Sequence, residues 1–384
     1  MAAYISGIGA FLPNDPIGND ELEHLLGQVD GARSRSRALV LRSNGIKTRH
    51  YALDRASGEM THTNCELTVE AINALCVRTG FSLEDLECLS CGTSSPDQMM
   101  PNHSVMVHAE LGSPPCETVS TSGVCCSGLT ALKYGYLSVL SGTTTNAVTT
   151  ASELPSAALL AENYESRSAS DDRDVERLSA NPSVAFEADF LRWMLSDAAS
   201  AVLITDKPLG ETVSLRIDWV EIISMAHLAD PCTYFGAEKF KDGTLLGWLQ
   251  LRNPRAALEG GHFQLRQDVR QLADMIAPLF GETLEIVRKR RGIQAEEYDW
   301  FLPHYSSEYF RKPTRDVMSE RGFEIPDDKW FTNLPYKGNT GSASIFVMLE
   351  ELLNGGRLQP GQKLFCLVPE SSRFTYGYMQ LTVV

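Results

Sequence analysis

The chain contains no apolar run approaching the roughly 18 to 20 residues that cross a bilayer. Its opening, Met-Ala-Ala-Tyr-Ile-Ser-Gly-Ile-Gly, carries no basic head of the kind found in a secretory signal. Membrane insertion is therefore not expected, and a cytoplasmic location is. Positive charge is also short: 34 Lys and Arg against 49 Asp and Glu leave a formal net charge of −15. That balance excludes the basic footprint a nucleic-acid binder needs. The cysteines (Cys65, Cys76, Cys88, Cys91, Cys116, Cys125, Cys126, Cys232 and Cys366) lack the paired spacing of a disulfide framework and are expected as free thiols. Cys88 and Cys91 form a C-x-x-C with no second pair and no neighbouring histidine, so no metal is expected there and the segment reads as a buried strand.

What the chain does have is core. With 384 residues, 43% of them hydrophobic and 22% charged, it suits one large or two medium domains. Strand-like apolar runs alternate with helical periodicity throughout, which predicts an α/β architecture. Helices are predicted at Asn19–Leu26, Asn64–Gly80, His103–Leu111 and Cys126–Leu140, and strands at Ala3–Ile8, Leu86–Gly92, Glu117–Val124 and Asn146–Ala151. A polar stretch from Asn163 to Asn181 precedes a small-residue turn and buried strand at 196–206. A second run follows: a strand at Leu215–Ile223, helices at Gln264–Arg290, Ser306–Arg321 and Ser342–Leu353, and strands at Tyr298–Pro303, Lys363–Val368 and Tyr376–Val383. Each half, 1–206 and 207–384, ends in two strands after a helix, so an internal duplication is expected, although residue identity between the halves does not display it.

Three features carry chemistry. Ser-Thr-Ser-Gly-Val-Cys-Cys-Ser-Gly-Leu (120–129) turns a strand into a helix and places Cys126 at the helix start, where free N–H groups and the macrodipole favour thiolate. By itself Cys126 reads equally as a buried core thiol. Trp300-Phe301-Leu302-Pro303-His304 presents an imidazole at the C-terminal edge of a strand. Lys337-Gly-Asn-Thr-Gly-Ser-Ala-Ser344 is a glycine-punctuated turn able to hold the Asn339 amide against a ligand.

Together with Gly-Ile-Gly-Ala-Phe-Leu-Pro (7–13), Asn-Gly-Ile-Lys-Thr-Arg-His (44–50), Ser-Asp-Ala-Ala-Ser-Ala-Val-Leu (196–203) and Phe-Thr-Tyr-Gly (374–377), this ordered set resembles the β-ketoacyl-carrier-protein synthase III family of thiolase-fold condensing enzymes. The resemblance implies two pseudo-duplicated halves in a layered αβαβα arrangement, a homodimer, and no bound cofactor, the substrates being phosphopantetheine thioesters. It implies a catalytic set of Cys126, His304 and Asn339, with Cys125 as a buried neighbour. Cys126 takes the acyl group, and His304 and Asn339 stabilise the enolate of the second thioester. The oxyanion hole would be the backbone N–H groups of Cys126 and Ser372. Met99 and Met100 match the segment that lines a partner's acyl tunnel. Glu153, after the following strand, reads either as a surface turn carboxylate or as a general base.

Two departures shape the functional expectation. No tryptophan occurs in residues 27–45, where chain-initiating relatives stack one on the adenine of coenzyme A, so delivery by an acidic acyl carrier protein is expected. Its docking surface would be Arg288, Lys289, Arg290 and Arg291 with Arg311, Lys312 and Arg315. The turn Glu370-Ser371-Ser372-Arg373 replaces the family's glycine-rich loop. The long insertion from Pro155 to Trp193 is similar to the ketosynthase/cyclase branch, which implies formation of a cyclohexanedione or dialkylresorcinol precursor from a β-ketoacyl and an unsaturated acyl thioester. The alternatives are a chain-initiating synthase using a malonyl donor, a non-condensing acyltransferase, and a catalytically inert partner subunit.

Overall fold

The computed structural model describes residues 2–34, 36–164, 190–210 and 213–384. The centre of the insertion and most of the polar stretch (165–189) lie outside the described residues.

Labelling the elements that position the site, the first half runs β1 (Tyr4–Phe11), α1 (Asn64–Thr79), β2 (Cys88–Thr93), α2 (His103–Leu111), β3 (Glu117–Ser122), α3 (Cys126–Ser141), β4 (Asn146–Glu153) and β5 (Ala198–Thr205). The second runs β6 (Leu215–Ser224), α4 (Val269–Arg291), β7 (Trp300–Pro303), α5 (Arg311–Glu320), α6 (Ser344–Asn354), β8 (Lys363–Glu370) and β9 (Thr375–Val383). These strands form one nine-stranded sheet in the order β7-β8-β9-β6-β1-β5-β4-β2-β3. In the first half β1·β5 and β5·β4 are antiparallel, while β4·β2 and β2·β3 are parallel. In the second, β6·β9 and β9·β8 are antiparallel and β8·β7 parallel. A lone parallel bridge from Phe301 to Trp330 stands where the fifth strand belongs. Helices α1, α2 and α3 fall at the same points of this path as α4, α5 and α6, so the duplication is carried by topology. The two wings meet in the sheet through the pairs Tyr4–Arg216 and Ile5–Leu215, with the Ile217 N–H donating to the Ala3 carbonyl at 2.9 Å.

Local chemistry sets most element ends. Thr63 and Glu66 close a capping box on α1, and Gly80 ends that helix at φ 68°. The predicted helix from Gln264 begins instead at Val269, because Arg266 and Gln267 pair with Thr233 and Tyr234 and Asp268 caps the Gln271 N–H. The helix predicted from Ser306 starts at Arg311, after a 3-10 turn over Glu308–Phe310. The helix predicted at Asn19–Leu26 is one turn, Leu22–Leu25.

The core forms three apolar clusters. Leu67, Ile72 and Leu75 of α1 cover the first wing from outside, and Leu272, Phe280 and Leu284 of α4 cover the second. Between the wings lie Leu129 and Leu132 of α3 with Phe346 and Leu349 of α6. Strand β8 divides its residues by the period of two: Phe365 and Leu367 face the outer cluster, and Leu364, Cys366 and Val368 the central one. Both faces are buried, which accounts for the near-continuous apolar run in the sequence. The all-buried strand β2 holds Cys88 and Cys91, whose thiols burial pushes up to about 12; among the described residues no cluster of metal ligands occurs.

The start of α3 lies hard against β2. A Cβ on Gly92 would sit 2.4 Å from the Ser127 carbonyl oxygen and 2.7 Å from the Gly128 nitrogen, and neither backbone atom can yield like a flexible side chain. Gly92→Ala is expected to destabilise the protein by about 3 kcal/mol, an overpacking cost, measured by urea unfolding, and to lower acyl-enzyme formation along with stability. A neutral effect would show that α3 is free to shift.

Candidate active site

The chain leaves β3 at Ser122, turns at Gly123 (φ 148°) and enters α3 with Cys125 at the N-cap position. No side chain caps this helix. Both thiols are buried, but they face different surroundings. The Cys126 Sγ is directed into the sheet, 3.2 Å from the Val368 carbonyl oxygen and 3.8 Å from that of Thr375. Cys125 instead lines a cavity whose wall also includes His304 and Ser371. Cys126 follows on the same turn and is as deeply buried, 5% exposed against 6%, with its Sγ against β8 and β9. Gly128 permits close packing: a Cβ there would lie 2.4 Å from the Ala151 methyl and 2.9 Å from the Ser342 carbonyl oxygen.

The rest of the cavity is mostly apolar, with Leu272, Ile276 and Phe280 from α4 and Phe310 and Pro313 from the start of α5. His304 is held at the end of β7 by its N–H to the Leu367 carbonyl, 2.8 Å. Neither ring nitrogen has a protein hydrogen-bond partner among the described residues, and burial lowers the ring pKa to about 4. The imidazole is thus neutral at physiological pH. Asn339 is anchored through its backbone to Met194 and Ser196, 2.9 Å each, and its Oδ1 accepts the Gly341 N–H at 3.0 Å. That Asx turn leaves the Nδ2 group as the side chain's available donor. Asn339 is buried but does not form part of the cavity wall that carries Cys125 and His304.

Burial also acts on the thiols, and against the sequence expectation. Desolvation foremost, with the Glu370 carboxylate second, raises Cys125 and Cys126 well above the ordinary thiol value. The helix N-terminus does not outweigh it, so the resting group is a thiol.

Two further expectations change. The Ser372 N–H does not stand free as an oxyanion donor: it donates to Glu370 Oε1 at 2.7 Å, while the Thr375 N–H donates to Oε2 at 3.2 Å. Glu370 ends β8 opposite Thr375, so its buried carboxylate spans the base of the hairpin turn. Without glycine the turn takes its left-handed residue at Phe374, φ 60°. Sequence reasoning missed Glu370; the signal was a carboxylate closing an apolar strand beside a turn lacking glycine. Glu153, for its part, is neither on the surface nor on the cavity wall. It is buried and accepts hydrogen bonds from the N–H groups of Ser94 and Ser342 and the hydroxyls of Ser94 and Ser95.

Met99 and Met100 are 62% and 85% exposed and lie away from the cavity of their own chain. Of the basic residues expected to dock a carrier, Arg288 pairs with Glu285, Arg290 and Arg291 with Glu221, Arg311 with Glu308, Lys312 with Asp316, and Arg315 with Asp327. Lys289 is exposed with no such pair among the described residues.

The fold and the thiol-imidazole cavity define a thiolase-fold enzyme, and comparison with known proteins agrees. Residues 289–368 match the model of the 3-oxoacyl-[acyl-carrier-protein] synthase III C-terminal domain. The chain is 24% identical to β-ketoacyl-[acyl-carrier-protein] synthase III 1 of Deinococcus radiodurans, over 95% of this chain and 89% of that protein. Among solved structures it is similar to AbyA1, a tetronic acid condensing enzyme (TM-score 0.72, 19% identity, 99% of each chain), and to Xanthomonas campestris OleA with bound lauric acid and lauroyl-CoA (TM-score 0.73, 17% identity, 100% of this chain and 99% of that one). Over nearly its whole length the chain is thus similar to synthase III condensing enzymes and has the same fold. No helix among the described residues is long and apolar enough to cross a membrane.

Two measurements test this site. After mixing with an acyl thioester, the intact mass of Cys125→Ala is expected to carry the acyl adduct and that of Cys126→Ala to lack it; the opposite pattern would move the role to Cys125. Because the His304 pKa is lowered, the ring gains its proton only as pH falls toward about 4. The condensation rate should therefore show no His304-dependent loss between pH 7 and 5, and an acid limb near 6.5 that disappears in His304→Ala would contradict the assignment.

Proposed function

We propose that the protein is a ketosynthase/cyclase that joins a β-ketoacyl thioester to a second, unsaturated acyl thioester and closes a 1,3-cyclohexanedione or dialkylresorcinol precursor. The observation that carries this reading is the adjoining thiols of Cys125 and Cys126 at the start of α3 beside a largely apolar cavity whose wall holds a neutral His304, with Cys126 opening the Cys-Ser-Gly-Leu motif as the nucleophile. The thiol attacks the first thioester carbonyl, its proton passes to the His304 imidazole, and the departing pantetheine thiolate takes that proton back. The result is an acyl-Cys126 thioester and a free pantetheine thiol. The β-ketoacyl thioester enters next. Hydrogen bonds from His304 on the cavity wall and from the free Asn339 Nδ2, reached as the substrate passes beyond that wall to Cys126, stabilise its enolate; the enolate attacks acyl-Cys126, forming the C–C bond, and the proton lost from C2 ends on the departing Cys126 thiolate. Conjugate addition within that product closes the ring. The backbone N–H at the uncapped start of α3 holds the tetrahedral oxyanion, while Glu153, with its lone pairs committed to four donors, is assigned a structural part.

Ring formation is favoured by the likeness to a tetronic acid condensing enzyme, and long apolar acyl chains by the likeness to a protein holding lauric acid and lauroyl-CoA. Substrates arrive as phosphopantetheine thioesters on an acyl carrier protein. Its acidic surface meets Lys289 and the neighbouring arginines, whose exposed ion pairs contribute little and exchange readily. The protein acts as a homodimer, and the exposed Met99 and Met100 with the outer edge of β3 supply apolar and hydrogen-bonding surface for a second copy.

The test is product analysis after incubation with a β-ketoacyl and an α,β-unsaturated acyl thioester. The expected product is cyclic, retains the carbon of both chains and needs no malonyl donor. A linear product formed only with a malonyl donor would make the enzyme a chain-initiating synthase. Acyl groups found on an alcohol or amine, with no new C–C bond, would make it a simple acyltransferase.

A further inference from the structure

The cavity beside His304 is too small for what must pass through it. It encloses about 40 Å³, whereas a site that buries most of a small ligand takes roughly 300–1,000 Å³. One wall must therefore yield to an acyl chain. The start of α5 is pinned by the buried Phe310, and the hairpin by the two N–H groups that Glu370 binds. Helix α4 differs from both, because its two halves are held unequally. Beyond Pro278 its buried residues are Leu279, Phe280, Gly281, Thr283, Leu284 and Val287; before Pro278 the only one is Leu272. Pro278 is exposed and lacks the N–H that would reach the Asp274 carbonyl, so the helix is weakest where the two halves join. Leu272, Ile276 and Ala277, which form the wall, belong to the loosely held half.

The far end of that half is tied down. Asp268 caps the Gln271 N–H, Lys239 donates to both of their side chains at 3.1 and 2.8 Å, and the Gln271 amide donates to the Asp230 carbonyl at 2.6 Å. Movement between Gln271 and Pro278 is thus an outward bow and not a swing. What holds this stretch to the sheet is the Tyr376 hydroxyl, which donates to the Ile276 carbonyl at 2.7 Å. Tyr376 is fully buried in β9, opposite Pro369 of the cavity wall. Its neighbours adjoin the nucleophile: the Thr375 carbonyl oxygen lies 3.8 Å from the Cys126 Sγ, and a Cβ on Gly377 would lie 3.4 Å from it. One strand therefore fixes both the surroundings of the thiol and the wall of the route to it.

We propose that Tyr376 is a positioning residue: by tethering α4 at Ile276 it sets how far the wall bows about Pro278, and so how long an acyl chain can be delivered to Cys126. The chain it measures is apolar, as Leu272, Ile276, Phe280 and Phe310 along the wall require. One neutral hydrogen bond is a modest restraint, and burial of successive methylenes can offset it. The inference rests on the acyl-transfer reading above and deepens it by naming what limits the acyl group.

The experiment follows acylation by intact mass with butyryl, octanoyl and lauroyl pantetheine thioesters, in wild type, Tyr376→Phe and Pro278→Ala. Tyr376→Phe keeps the ring and removes only the tether, so the ratio of lauroyl to butyryl acylation rates is expected to rise about fivefold or more. Pro278→Ala restores the missing N–H and stiffens the wall, and the same ratio is expected to fall. A ratio that is unchanged or moves the other way in either variant overturns the proposal, even where the absolute rates drop, because a purely structural loss slows every chain alike. Should Tyr376→Phe fail to fold, Pro278→Ala decides alone, its site being exposed. Failure of the acyl-transfer reading looks different: wild type itself would gain no acyl mass from any of the three thioesters.

Discussion

The site depends on one buried carboxylate. Glu153 lies where the two wings of the sheet and their inner helices meet, and no cation is paired with it among the described residues. It is held by Ser94 and Ser95 after β2 and by the Ser342 N–H at the turn leading into α6. Burying a carboxylate without hydrogen bonds is prohibitive; with four donors the cost is largely met, and every donor is thereby fixed in place. Burial still raises its pKa, which is the residual of that cost. Gly341, at φ 54°, packs against the Glu153 side chain so closely that a Cβ would lie 2.7 Å from its Cγ. Asn339 is then set by its own bond to the Gly341 N–H. The carboxylate from the first half thus locates the amide from the second, three residues before the Ser342 N–H that it binds.

Much of this was written in the sequence at the level of elements. Periodicity found β8, which spans Lys363–Glu370, and α2 at His103–Leu111, because an apolar run buried on both faces and a helix capped by Asn102 and Gly112 each carry a strong local signal. The grouping of the cysteine turn, His304 and the Asn339 turn into one expected site came from the family resemblance and not from periodicity. What periodicity could not resolve was direction. Cys125 and Cys126 are the same residue type one position apart, and which thiol meets the cavity is decided by where the first helical turn begins relative to β8 and β9. The Ser372 N–H was equally ambiguous, since only the folded hairpin brings the Glu370 carboxylate onto it. Glu153 read as a turn residue because nothing local announces that Ser94, Ser95 and Ser342, distant in sequence, converge on it.

Hairpin 370–375 shows how a loop can keep a tight geometry after losing its glycines. The turn needs one residue in the left-handed region, and Phe374 occupies it with its side chain fully buried, so core packing offsets the backbone strain. The Glu370 carboxylate then binds the two N–H groups that the turn would otherwise leave unpaired. The consequence reaches the chemistry: one backbone donor near the cavity is withdrawn from catalysis, so more of the charge stabilisation falls to the start of α3 and to neutral side-chain donors.

Burial gives the two reacting groups a common state. It raises the thiol of Cys126, as it does that of Cys125, and lowers the imidazole of His304, so both reacting groups rest neutral. Separating them into thiolate and imidazolium there would place two charges in a poorly solvated space, and their mutual attraction offsets that penalty only with favourable geometry. The ion pair therefore need not persist as a resting species. Proton transfer accompanies attack, at the moment when the thioester carbonyl begins to accept negative charge and the N–H groups at the uncapped start of α3 gain something to bind. A thiol that ionises only against its substrate is also protected from stray electrophiles and oxidants, which react with the thiolate. The same burial that makes Cys126 a poor nucleophile at rest makes it selective for a substrate that fills the cavity.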